Sequence, residues 1–206
     1  MTRTLRELRR RAREGERGAT LVEAAFLLPL FFFLVFGILE FGFGFRHYLT
    51  VANGTRDGAR TATVAGNQTD ADYLILQAIQ RSMSAMPEDD IDRIVVWHAS
   101  GPEATVPPGC LAGTPQADLG AECNVYAPVD FALADGEFDC AGPGSAADES
   151  WCPTTRKTAT TGTYGPPDYI GITIEVSYDY ITGLFPGGGM TFTDTTIMRI
   201  EPRSVE

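Results

Sequence analysis

Histidine is scarce: His47 and His98 are the only two in 206 residues. The chain also lacks a G-x-S-x-G elbow, an H-E-x-x-H pair and a glycine-rich phosphate loop, and neither histidine belongs to a recognisable triad. Paired acids such as Asp89 and Asp90 precede a strand-like run and read as loop charge. The expectation is a non-enzyme with no catalytic residue and no cofactor. Basic residues are also few past the N-terminal segment. Residues 46–206 carry nine Lys or Arg against twenty-two Asp or Glu, and the whole chain has a net charge of -11. Such a surface repels phosphates, which argues against a nucleic-acid partner. No C-x-x-C pair occurs. The four cysteines, Cys110, Cys123, Cys140 and Cys152, are spaced by 13, 17 and 12, which argues against a zinc site and predicts no metal. An even count within one exported segment favours two disulfides, with all three pairings open.

What is present is a membrane topology. Residues 1–17 hold seven arginines and three glutamates. From Ala19 to Phe45 only Glu23 and Glu40 interrupt an apolar run. As a helix this run would reach about 40 Å, enough to cross a hydrocarbon core of about 30 Å with tilt. Its length, its aromatic end and the lack of a nearby A-x-A site favour a retained anchor over a removed signal peptide. The arginine excess on one side predicts a single span in the cytoplasmic (inner) membrane, with the N-terminus in the cytoplasm and the C-terminal bulk outside it. Pro29, inside the run, removes one helical hydrogen bond and predicts a kink.

The junction Arg17-Gly18-Ala19-Thr20-Leu21-Val22-Glu23 closes a charged leader with a glycine, starts an apolar helix at once and places an acid five residues after that glycine. An acid is costly at the membrane edge unless it is paired. An α-amine freed on Ala19 by cleavage after Gly18 could pair with it, on the same or a neighbouring subunit. The junction resembles that of type IV prepilins. The stretch LVEAAFLLPLFFFLVFGILEFG, and then Thr55-Arg56-Asp57-Gly58-Ala59-Arg60, resemble in order the signatures of the TadE-like family. Ala24 stands where many Tad-system pilins carry an aromatic residue. The resemblance implies a minor pilin or pseudopilin serving a Tad (Flp-type) pilus or related secretion machine. It also implies cleavage after Gly18 by a prepilin peptidase. The implied partners are other pilin-like subunits, pilus assembly platform proteins and the lipid bilayer. The alternative is an uncleaved, single-pass envelope or surface binding protein that never enters a filament.

The reading divides the chain into a basic leader (1–18), a transmembrane helix (19–45), exported helices with a first strand (46–99), a Pro/Gly/Cys-rich loop region (100–168) and C-terminal antiparallel strands (169–206). The fold class expected is α+β, type IV pilin-like, with a long N-terminal helix, a second helix and a small antiparallel sheet. Gly54, Gly58 and Ala62 recur every four residues, either as a close-packing stripe or as weak helix. Asp70 or Asp72 could cap a second helix running to about Met86, with Leu74, Ala78, Ile79, Met83 and Met86 on its apolar face. Ile91–Ala99 reads as a strand, and His98 near its end reads as a surface or packing residue. Residues 100–168 hold nine of the thirteen prolines, and their acids read as solvated. In Tyr169–Tyr180 apolar residues alternate with small or polar ones, which predicts one buried and one wet face. Met190–Ile200 should pair with it antiparallel.

Overall fold

The computed structural model describes residues 2–115, 120, 122–140, 147–158, 165–183 and 185–202, with side chains from residue 18 onward. The leader arginine side chains, Arg3 to Arg17, and parts of the 100–168 region lie outside the described residues. The chain divides into two compact units: Met1–Phe43 with Tyr180–Gly188, and Gly44–Asp179 with Gly189–Glu206.

Helix α1, Thr2–Ala65, contributes to both units. Pro29 lies inside it and does not end it. A single lost donor is tolerable where the rest of the ladder persists. In the first unit the helix exposes Leu21, Phe26, Leu30, Phe31 and Ile38. From Gly18 onward it is long and apolar enough to cross a membrane. The loop residues of this unit lie against the helix: the Phe185 ring centroid is 6.0 Å from that of Phe33 and 5.9 Å from that of Phe41.

The second unit is an antiparallel sheet of order β2-β1-β3-β4, with β1 at Ile91–Ala99, β2 at Cys123–Tyr126, β3 at Tyr169–Asp179 and β4 at Gly189–Arg199. The α+β expectation holds, as does the antiparallel pairing of the last two strands, in which Ile172 faces Thr196 and Val176 faces Phe192. Helix α2, Ala71–Ser82, ends well before Pro87, with the Met83 N–H donating to the Ile79 carbonyl at 2.8 Å. One core joins Val51, Ala59 and Ala62 of α1, Ile75 and Ile79 of α2, and Ile94, Val96, Ile170, Ile172 and Ile174 of the sheet. The small-residue stripe is the seat of this packing. A Cβ on Gly54 would lie 2.6 Å from Met83 Sδ, and one on Gly58 would lie 2.8 Å from Ile79 Cγ1. Glycine here lets α2 approach α1 within the same chain, so the stripe serves close packing.

Three expectations need correction. Asp70 occupies the N-cap of α2 but makes no side-chain cap bond, and Asp72 is buried rather than capping. On α2, Ile75 and Leu76 are buried while Leu74 is half-buried, because the core approaches from a face slightly rotated from the one chosen. Finally, the other face of β3 is not uniformly wet. Gly171 and Thr173 are buried, because the Trp97 indole lies directly over Gly171 and donates its Nε1–H to Thr173 Oγ1 at 3.1 Å. A second cluster of Val95, Trp97, Ala99, Cys110, Cys123 and Val125 covers that side.

Candidate functional site

The residues of the proposed processing junction lie at the start of the described side chains. Gly18, Ala19 and Glu23 are exposed, and a Cβ on Gly18 would meet nothing within 4 Å. Pro29 is exposed as well. The apolar side chains around it make a surface that water solvates poorly, of the extent that marks a membrane or protein interface. Glu40 differs from Glu23: it is 3% exposed, and its Oε1 accepts the Thr182 N–H at 2.8 Å and the Thr182 hydroxyl at 2.9 Å.

The 55–60 motif lies on α1 within the second unit. Thr55, Gly58 and Ala59 are buried, whereas Arg56 and Arg60 are exposed. The Thr55 hydroxyl bonds to the Asp194 carboxylate, and Thr196 donates to Thr55 Oγ1 at 3.2 Å, so the motif's inner edge docks the helix on β4. The outward arginines, one helical turn apart, present positive charge on an otherwise acidic unit.

A buried polar cluster was not foreseen. Arg156 Nη2 lies 2.7 Å from Asp72 Oδ1, and both side chains are fully enclosed. Asn124 Nδ2 and the Tyr126 hydroxyl each donate to Asp72 Oδ2 at 2.7 Å. Asn124 also donates to the Trp151 carbonyl at 2.9 Å and accepts the Trp151 N–H at 2.7 Å. The guanidinium carbon stacks 4.2 Å from the Trp151 ring. Burial, then the Asp72 charge, pushes the Tyr126 phenol well up. Asp148 is buried beside them. Burial first, and then the Asp72 charge, push its carboxyl up to about 7, against the opposing pull of backbone N–H groups and Arg156. Asp72 reads as a candidate helix cap in the sequence and Asp148 as a solvated acid, since their partners are far along the chain. The arrangement cross-links α2, β2 and the 147–158 segment, and its role is cohesion.

Asp148 titrates in a useful range. The folded chain keeps a proton that the unfolded chain releases above 3.8, so stability falls as pH rises from there to about 7 and then levels off. Asp148→Asn should therefore match wild type below about pH 4, gain on it progressively up to about pH 7, and hold a constant advantage above. Urea denaturation of the full chain across that range checks this, and a pH-independent difference would contradict it.

The cysteines pair as Cys110–Cys123 and Cys140–Cys152, with none free. The first ties α3, Pro108–Ala112, to β2. Among the described residues no cluster of His, Cys, Asp or Glu could hold a metal ion. His98 is exposed and tilts against Trp151, with Nε2 3.5 Å from Asp168 Oδ1. His47 lies 3.7 Å from Asp90, and its pKa is lowered mainly by burial.

No curated protein and no solved structure matches the chain. A family model does: residues 18–60, from the junction glycine through the outward Arg60, match the model described as TadE-like protein. Over that segment the chain is similar to the TadE-like family.

Proposed function

We propose that the chain is a minor pilin or pseudopilin of a Tad (Flp-type) pilus or a related secretion machine, anchored in the cytoplasmic membrane with its second unit outside. The observation that carries this is the coincidence of the TadE-like segment with one helix, mostly exposed and apolar between Leu21 and Phe45 and, from Gly54 onward, with one face buried in an α+β core. The exposed stretch suits packing in lipid and against other pilin-like helices. The acidic exported unit suits a structural role in capping, priming or adapting a filament. The arginine-rich leader sets the proposed orientation. The role needs no catalytic residue and no cofactor.

Processing tests it. A prepilin peptidase should cut between Gly18 and Ala19, and the protein extracted from membranes should begin at Ala19. Gly18→Leu should leave the leader attached. Glu23→Ala should keep insertion, because placement depends on the apolar run and the arginines, and should lower co-purification with the pilus assembly apparatus. An intact Met1 leader in wild type, or equal recovery of wild type and Glu23→Ala at equal membrane levels, would overturn the filament role. A second reading, an uncleaved anchored envelope protein, draws on one observation: α1 is helical across Gly18 and Ala19. Its backbone carbonyls are engaged there, so the scissile peptide must unwind before a protease can reach it.

A further inference from the structure

The loop joining β3 to β4 in the chain is chemically unlike the acidic segments on either side of it in sequence. No Asp, Glu, Lys or Arg occurs between Asp179 and Asp194, a stretch that includes Tyr180, Ile181, Phe185 and Pro186. Its described residues, 180–183 and 185–188, group with the apolar part of α1. The Phe185 ring meets those of Phe33 and Tyr180 at a tilt and that of Phe41 edge-on, and a Cβ on Gly37 would touch Phe185 Cζ at 3.7 Å. Ile181 is 68% exposed although large and apolar.

The position of these contacts along α1 fixes their depth if the helix spans a bilayer. A hydrocarbon core of about 30 Å takes about 20 helical residues. Placing its outer border at Glu40, the acid that ends the longest uncharged stretch, sets Gly37 and Phe33 about 5 and 10 Å beneath it at 1.5 Å per residue. Shifting the border by two residues alters these depths by about 3 Å. Phe185, which touches both levels, then lies at the depth reached by interfacial apolar side chains, about 5–10 Å. Polar groups at that border must be satisfied. The Thr182 N–H and hydroxyl go to Glu40, and the Tyr180 N–H goes to the Gly188 carbonyl at 3.0 Å. One pair of contacts thus shields the acid of the helix and the backbone of the loop together.

We propose that the β3–β4 loop is a second membrane contact, with Ile181 and Phe185 inserted in the lipid leaflet beside α1 and the Glu40–Thr182 pair clasping the loop to the helix at the leaflet border. The occupant of this surface is lipid. The uncharged loop and its continuity with the apolar face of α1 select an acyl-chain environment over a charged protein partner. The inference rests on the membrane-spanning reading of α1 and does not require incorporation into a filament.

The native cysteines are paired, so Ile181→Cys in the full chain offers a single thiol for an environment-sensitive fluorophore. The labelled protein is reconstituted in phosphatidylcholine vesicles and isolated by flotation. Val129→Cys, exposed on the second unit, is the control. The label at 181 should be quenched by doxyl-labelled lipid and protected from iodide several-fold relative to the label at 129. Flotation with equal iodide access at both positions would overturn the loop's insertion while leaving the anchor intact. Protection from both quenchers would point to a protein partner and overturn the lipid assignment. Failure to float would overturn the membrane reading and this inference with it. Glu40→Gln together with Thr182→Val should return the label at 181 to iodide while flotation persists, and unchanged lipid quenching would remove the clasp from the proposal.

Discussion

Arg156→Met should destabilise the second unit by about 3–5 kcal/mol, the effect of leaving a buried charge without its partner. Asp72 is fully enclosed and its Oδ1 faces the Arg156 guanidinium at 2.7 Å, while Asn124 and Tyr126 already occupy Oδ2. Neither neutral donor can replace a cation. Methionine keeps much of the volume against Trp151 but loses the stacking of the guanidinium over its ring. Adding Asp72→Asn should recover a large part of the loss, because the amide oxygen can still accept from Asn124 and Tyr126 and residue 72 no longer carries a buried charge. Urea denaturation of the full chain in detergent, followed by tryptophan fluorescence, measures both variants. A loss below about 1 kcal/mol for Arg156→Met would mean that water reaches Asp72 and that the pair behaves as a surface bridge.

Removal of either disulfide should be next in size. The bridges close sequence separations of 13 and 12 residues. Loop-closure entropy puts each near 3 kcal/mol, within a usual range of about 2–4 kcal/mol. Cys110→Ser with Cys123→Ser also leaves two small polar groups in the cluster of Val95, Trp97 and Val125, so this pair should exceed the other. Cys140→Ser with Cys152→Ser acts on a more exposed segment, where the chain-entropy part dominates. Alkylation of the unreduced, denatured chain should label no thiol. A non-reducing peptide map should join 110 to 123 and 140 to 152. Four labelled thiols, or any other pairing, would refute this part of the structure.

Elements whose signal is local were legible in the sequence. The apolar run of α1, the alternation in β3 and the β-branched run at Ile91–Ala99 each carry their own periodicity, and the structure places a helix or strand at each. The TadE-like motifs were legible for the same reason, being contiguous stretches in a fixed order. β2 was missed because four residues, Cys123–Tyr126, carry too little pattern to stand out from a proline- and glycine-rich region. Its strand character comes from pairing with Ile94–Trp97.

The sequence by itself determined that a long apolar helix precedes an acidic, cysteine-bearing α+β unit, because periodicity, charge asymmetry and composition act within a few turns of chain. Only the tertiary structure decided which polar groups are inside. Asp72 was a candidate helix cap until Arg156, Asn124 and Tyr126 converged on it, and Glu40 was a charge in an apolar run until Thr182 reached it. The same holds for the glycine stripe, whose partners Ile79 and Met83 lie on α2 and at its C-cap, and for Gly171, whose neighbour Trp97 lies on another strand. A buried polar group is tolerated only where its partners are, and those partners are brought together by packing between segments distant in sequence.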